Sequence, residues 1–344
     1  MVDAMAEFDA WRVSLEREQA VAVCQVSQER FFRGLFAAHL RGRNMQRISA
    51  LGLVAIVSML CTARVGSIAR AEEPLRLHAR SRVATTGTGQ LKTFVAIDKT
   101  VDWQPSKTAL IICDMWDDHW CRGAAERVTE LAVPMNKLVH RARDLGLLII
   151  HAPSTCVDFY KETPQRRRAQ AATFSKPPVE LSQVTRWGTR WCWPDPKREP
   201  DLPIDDSDMG CDCQTKCEIR SPWTRQIALI DIEEPDAISD DGQEVYNLLE
   251  QRGIQQMLIA GVHLNMCVLG RSFAIRQMTT LGKHVMLVRD MTDTMYNSQM
   301  RPRVDHFSGT DLVVEHVERY WCPSVTSVDL VGGSPFRFRA DTRK

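Results

Sequence analysis

Four short apolar runs, separated by segments of helical periodicity, constrain this chain more than any other feature. They are TALIICDMW (108–116), LGLLIIHAPS (145–154), QQMLIAGV (255–262) and KHVMLVRD (283–290). Each is too short for a typical helix and lacks polar alternation, which predicts a strand covered on both faces. Between and after them, RGAAERVTELAVPMNKLVHRARDLG, QEVYNLLEQRG, NMCVLGRSFAIRQMTTLG and GTDLVVEHVERYW carry apolar residues at helical spacing. IALIDI (227–232) reads as a further strand, LRLHARSRV (75–83) as an alternating edge segment, and VTSVDLV closes the pattern. Strands alternating with helices predict an α/β fold with a doubly wound, mostly parallel sheet in three Rossmann-like layers, whose ligands bind at the carboxyl ends of the strands.

Composition removes several other classes. Among 344 residues, 44% are hydrophobic and 25% charged, and 44 basic side chains face 43 acidic ones. That balance disfavours a disordered chain or a coiled coil, and a net charge of +1 disfavours a nucleic-acid binder. No apolar run reaches the roughly 20 residues of a stable membrane span. The run from Met45 to Ala71, basic at Arg47, apolar from Ile48 to Ala63 and closed by Ala69-Arg70-Ala71, has the layout of an export signal. Residues 1–44 then read as an upstream extension, 72–104 as an N-terminal strand and linker, 105–330 as the main domain and 331–344 as a flexible tail. The expected location is periplasmic or extracellular.

Between the second and third strands lies an insertion, 155–225, far longer than an ordinary connection and therefore expected to be a lid or pocket wall. Trp187, Trp191 and Trp193 within it are read chiefly as packing residues. Nine cysteines follow Ala71. The cluster Cys211, Cys213 and Cys217 lacks the paired spacing of a zinc knuckle, and in an oxidising compartment it reads as a disulfide-stapled loop. Asp205, Asp206 and Asp208 lack the spacing of a calcium loop and read as a solvated acidic turn.

Two strand ends concentrate chemistry. Asp114 is a carboxylate at the exit of the first buried strand. Cys267 follows the strand that stops at Gly261, where Asn265 is expected to cap the next helix. A thiol in a helical first turn is expected to ionise more readily and to act as a nucleophile beside a carboxylate base. The residues ALIICDMWDDHW and LIAGVHLNMCV, in this order, resemble the isochorismatase-like cysteine hydrolases, over residues 105–330. The resemblance implies Asp114 as general base, Cys267 as nucleophile, a cis peptide at Val262-His263, and an oxyanion hole formed by the backbone N–H groups of His263 and Cys267. It also implies a lysine at the end of the third strand, where this chain has Glu233 and Glu234. The matching position falls nearest Glu234, which leaves two readings: a cation from elsewhere, with Arg225 or Lys161 as candidates, or a weakened or repurposed hydrolase.

The second strand is followed by STCVDFYKETPQ, without the Asp-x-His pattern of metal-dependent relatives, so neither a metal nor a cofactor is expected in the site. Trp116, Asp118, His119 and Glu234 are the expected pocket residues, His119 with the option of titrating near neutrality. Arg271, Arg276 and Arg289 are read as solvated helix-surface residues. The expected function is hydrolysis of a C–N bond in a small amide or carbamoyl compound, through a thioester. A non-catalytic binder on the same fold and an ether-cleaving isochorismatase are the alternatives, and homo-oligomers are consistent with the resemblance.

Overall fold

A computed structural model of the chain describes residues 72–85 and 93–343. The upstream extension and the export-like segment lie outside these. β1 (Leu75–Thr85) and β2 (Thr93–Trp103) form an antiparallel hairpin from Leu75 opposite Trp103 to Thr85 opposite Thr93. The expected linker is thus the second arm of a hairpin. Most of β2 is solvated on both faces, so it carries no alternating apolar signal to be read.

The main unit then runs β3 (Thr108–Cys113), α1 (Arg122–Asp144) and β4 (Leu148–Ala152). A long excursion follows, containing α2 (Pro164–Gln170) and the small hairpin β5 (Thr185–Arg186) and β6 (Thr189–Arg190). β7 (Ala237–Ile238), α3 (Gly242–Gln251), β8 (Gln256–Val262), α4 (Ile275–Thr280), β9 (His284–Asp293), α5 (His306–Tyr320), β10 (Ser324–Val325) and α6 (Val328–Val331) complete it. The sheet order is β2-β1-β10-β9-β8-β3-β4-β7. Every pairing from β10 to β7 is parallel, and β1 joins β10 antiparallel.

Alternate residues of β3 enter two separate cores. Ala109 and Ile111 face Val245, Leu249, Met278, Val313 and Val317 of α3, α4 and α5, whereas Leu110 and Ile112 face Leu131, Met135 and Leu138 of α1. Helices therefore cover both faces, which is why the β3, β4 and β8 sequences are apolar throughout rather than alternating.

Four details differ from the sequence expectation. IALIDI is a turn segment, not a strand: Ile227 and Ile230 are buried while Leu229 is 46% exposed. The third strand is the two-residue β7, so the excursion from the second strand reaches beyond 225. The segment expected as one helix from 265 to 282 is broken into a π-type turn at Leu264–Val268 and α4. Finally, the expected tail folds back, Phe338 stacking on Phe307 at 5.5 Å and Arg343 pairing with Asp311 at 2.7 Å.

The excursion is docked rather than loose. Glu199 is buried between Arg276, at 2.6 Å, and His316, at 2.7 Å. Trp191 is buried and packs on Gly270, where an added Cβ would lie 2.3 Å from the indole. The acidic turn is not simply solvated: Asp206 accepts from Asn265 and Asp208 from Asn297, each at 2.8 Å. The expected staple is not formed, since all nine described cysteines are free.

Candidate active site

The chain leaves β3 toward β4 and β7 on one side, then returns to lay β8, β9 and β10 on the other. β3 and β8 are thus the adjacent strands where the winding reverses, and a crevice forms beyond their carboxyl ends. Asp114 stands one residue past β3, and Cys267 five residues past β8. Gly261 lets the two strand ends approach, since a Cβ there would lie 2.0 Å from the Cys113 carbonyl oxygen. The Val262-His263 peptide is cis.

Asp114 is fully buried, and its backbone is left-handed with φ 48°. Such a conformation costs free energy in a residue with a Cβ and persists only where the surroundings impose it. Here they do. The Ser154 N–H donates to Oδ1 at 2.7 Å, and Arg271 Nε donates to Oδ2 at 3.2 Å. Arg271 is 1% exposed and donates further to the carbonyls of Arg186 and Trp187 and to Thr189 Oγ1. Burial opposes its charge, but Cys267 and Asp114 beside it outweigh that and hold its pKa above the ordinary arginine value.

The Cys267 thiol lies beside Asp114 and Arg271, close enough for both charges to act on it. Burial pushes its pKa up; Arg271 opposes this and Asp114 adds to it, and the net shift is upward. The expected easily ionised thiol at a helix tip is therefore corrected: in the resting site, Cys267 is protonated at neutral pH. Asn265 does not cap the helix either. It donates to Asp206 and to the Met295 carbonyl and accepts from the Met295 N–H, tying the lid to the loop after β9.

A cavity of about 640 Å³ opens over the sulfur, walled by Trp116, His119, Trp187, Trp223 and His263. Trp116 stacks on Trp223 with centroids 4.3 Å apart, and His119 lies parallel to Trp223 at 5.8 Å. Burial lowers the His119 pKa to about 4, and the Cys121 N–H donates to its Nδ1, so the ring is neutral at neutral pH rather than titrating there. Burial likewise holds His263 well below the ordinary histidine value. The buried His263 Nε2 has no hydrogen-bond partner among the described residues.

Among the expected pocket residues, Trp116 and His119 line the cavity, whereas Asp118 and Glu234 do not. Asp118 is exposed and accepts the N–H of its own neighbour His119. Glu234 is exposed and pairs with Arg168. Glu233 pairs with Arg143 and Arg225 with Asp117, while Lys161 is exposed, so neither expected substitute cation reaches the carboxylate. The cation at Asp114 is Arg271, which sequence reasoning had assigned to a solvated helix face. The break after the π-type turn reverses that, because residues 271–274 leave helical geometry and Arg271 bridges to Trp191 of the lid. Arg276 is also buried, against Glu199. Trp187 reaches the cavity, Trp191 packs, and Trp193 stays 44% exposed.

No family model and no curated protein matches the sequence. Solved structures with a similar fold include cysteine hydrolase and isochorismatase-family proteins and a ribonuclease. One is a cysteine hydrolase from Pseudomonas syringae pv. phaseolicola 1448A, 14% identical, covering 66% of this chain and 92% of that one with a TM-score of 0.40. Another is an isochorismatase from Pseudomonas putida KT2440, 14% identical over 66% of this chain and 91% of that one, with a TM-score of 0.39. A third, an isochorismatase family protein from Desulfovibrio vulgaris, is 16% identical over 65% of this chain and 96% of that one, with a TM-score of 0.37.

Proposed function

We propose that this chain is an isochorismatase-like cysteine hydrolase that cleaves a C–N bond of a small amide or carbamoyl compound. The observation that carries the reading is a buried carboxylate paired with a buried guanidinium beside one thiol at the floor of an aromatic cavity. A raised thiol pKa fits a nucleophile that is deprotonated only as it attacks. In the proposed sequence Asp114 takes the thiol proton while the sulfur bonds to the substrate carbonyl carbon. The N–H groups of His263 and Cys267 receive the developing oxyanion. The proton then passes from Asp114 to the leaving nitrogen as the C–N bond breaks. Water, activated by the same carboxylate, cleaves the thioester and restores the thiol.

Arg271 takes the part that the resemblance assigns to a lysine. It pairs with Asp114 at 3.2 Å and holds the carboxylate in place from the cavity wall. The stacked Trp116 and Trp223 suit a flat substrate, and the unpartnered His263 Nε2 offers it one polar contact. Export through the segment 45–71 belongs to the same proposal, and N-terminal sequencing of the natural protein tests it.

The reaction is tested by screening the purified chain against a panel of amides and carbamoyl compounds, with ammonia or amine release as readout. Turnover is expected in the wild type and is lost in Cys267→Ala, with an acyl adduct on Cys267 seen by mass spectrometry after quenching. Turnover that survives in Cys267→Ala supports the ether-hydrolase alternative. Saturable binding of panel members without turnover or adduct supports the non-catalytic binder.

A further inference from the structure

Away from the catalytic cavity, four sulfurs converge. Cys121 precedes α1 at its N-terminal cap, and Cys211, Cys213 and Cys217 come from the lid, about ninety positions later in the chain. Their Sγ atoms all lie within 4.8 Å of one another, and the Cys121 and Cys213 sulfurs are 3.8 Å apart. A tetrahedron with metal–sulfur bonds of about 2.3 Å has edges of about 3.8 Å. A disulfide brings sulfurs to about 2.05 Å in pairs and has no reason to gather four around one point.

The Gly123 N–H points at Cys213 Sγ at 3.4 Å, an outer hydrogen bond of the kind that orients metal-bound sulfur. The positive end of α1 faces the group, and Arg127, electrostatically coupled to Cys121, has a buried Nη2 with no partner among the described residues. All four donors are soft, and a closed set of four selects a structural ion of tetrahedral preference.

We propose that Cys121, Cys211, Cys213 and Cys217 bind one zinc ion that fastens the lid to the first helix. The ion's place gives it a consequence for the cavity, because Trp120 precedes Cys121 and Ile219 follows Cys217 by two residues, and both side chains line the pocket. The inference does not depend on the proposed hydrolysis, and its readouts are independent of activity.

The experiment measures metal in the purified full chain, produced with zinc available, by plasma mass spectrometry, together with peptide mapping under non-reducing conditions. About one zinc per chain is expected, retained in Cys192→Ser, whose sulfur lies outside the group, and reduced at least about ten-fold in Cys213→Ser. Should Cys213→Ser not fold, titration of the wild type with a mercurial must release the same zinc into a chromogenic chelator as the four thiols are consumed. A chain that is folded with essentially no metal, a disulfide among the four cysteines, or zinc undiminished in Cys213→Ser overturns the proposal.

Discussion

At the scale of single residues, the site turns on Arg271. A carboxylate as buried as Asp114 is costly unless a cation and hydrogen-bond donors accompany it, and Arg271 with the Ser154 N–H supplies both. Removing the guanidinium leaves an uncompensated buried charge. Arg271→Ala is therefore expected to destabilise the fold by about 3–5 kcal/mol, measured by urea unfolding, and to abolish turnover. Arg271→Lys retains the charge but loses the fork of donors to the Arg186 and Trp187 carbonyls and Thr189. It is expected to keep activity at roughly 10- to 100-fold lower kcat/KM, the worth of one charge-assisted hydrogen bond. Full activity in Arg271→Ala would contradict the role given to this residue. Sequence reasoning found Asp114 and Cys267 because each stands just past a recognisable strand. It missed Arg271 because a helical reading of 265–282 places that residue by periodicity, whereas the helix breaks where Arg271 bridges to Trp191, eighty positions away in the chain.

At the scale of elements, the lid is held by a polar anchor as well as by Trp191. Burial alone would raise the Glu199 carboxyl, but hydrogen bonds from His316 and Arg276 outweigh it and hold the pKa at about 2, against an ordinary 4.5. The folded-state pKa is depressed, so the unfolded chain binds the proton first as pH falls. The associated stability is fully present above about pH 4.5 and is lost as pH falls toward 2. By linkage it is on the order of 3 kcal/mol at most. Glu199→Gln is expected to lower the unfolding midpoint at pH 7 and to flatten its dependence on pH between 4.5 and 2. A variant whose midpoint tracks the wild type across that window would show that the anchor contributes nothing. The same elements explain the misread third strand: IALIDI has the composition of a strand, but only two of its apolar side chains reach the core, while the pairing with β4 falls to Ala237 and Ile238.

At the scale of the whole molecule, both hydrophobic cores are built from described residues between Leu75 and Phe338. No helix among the described residues is long and apolar enough to cross a membrane. A chain beginning at Glu72, which keeps every residue of those two cores, is expected to unfold in one cooperative transition. A molten or insoluble product would mean that the first 71 residues contribute to the folded state. The hairpin of β1 and β2 leaves β2 at the sheet edge, with Val95 50% and Ile97 44% exposed, and the oligomeric state is open to direct measurement. Sedimentation of the purified chain measures that state directly.

The layered α/β core and the two strand ends that carry Asp114 and Cys267 are legible in the amino-acid order alone. Those depend on local periodicity and on the rule that buried strands deliver their next residues to one edge of a sheet. Which cation faces Asp114, which way the thiol pKa moves, and the meeting of Cys121 with three cysteines of the lid emerge only in the folded chain. These follow from burial and from contacts between segments eighty or more positions apart, and residue spacing along a chain carries no record of such distances until the lid is docked.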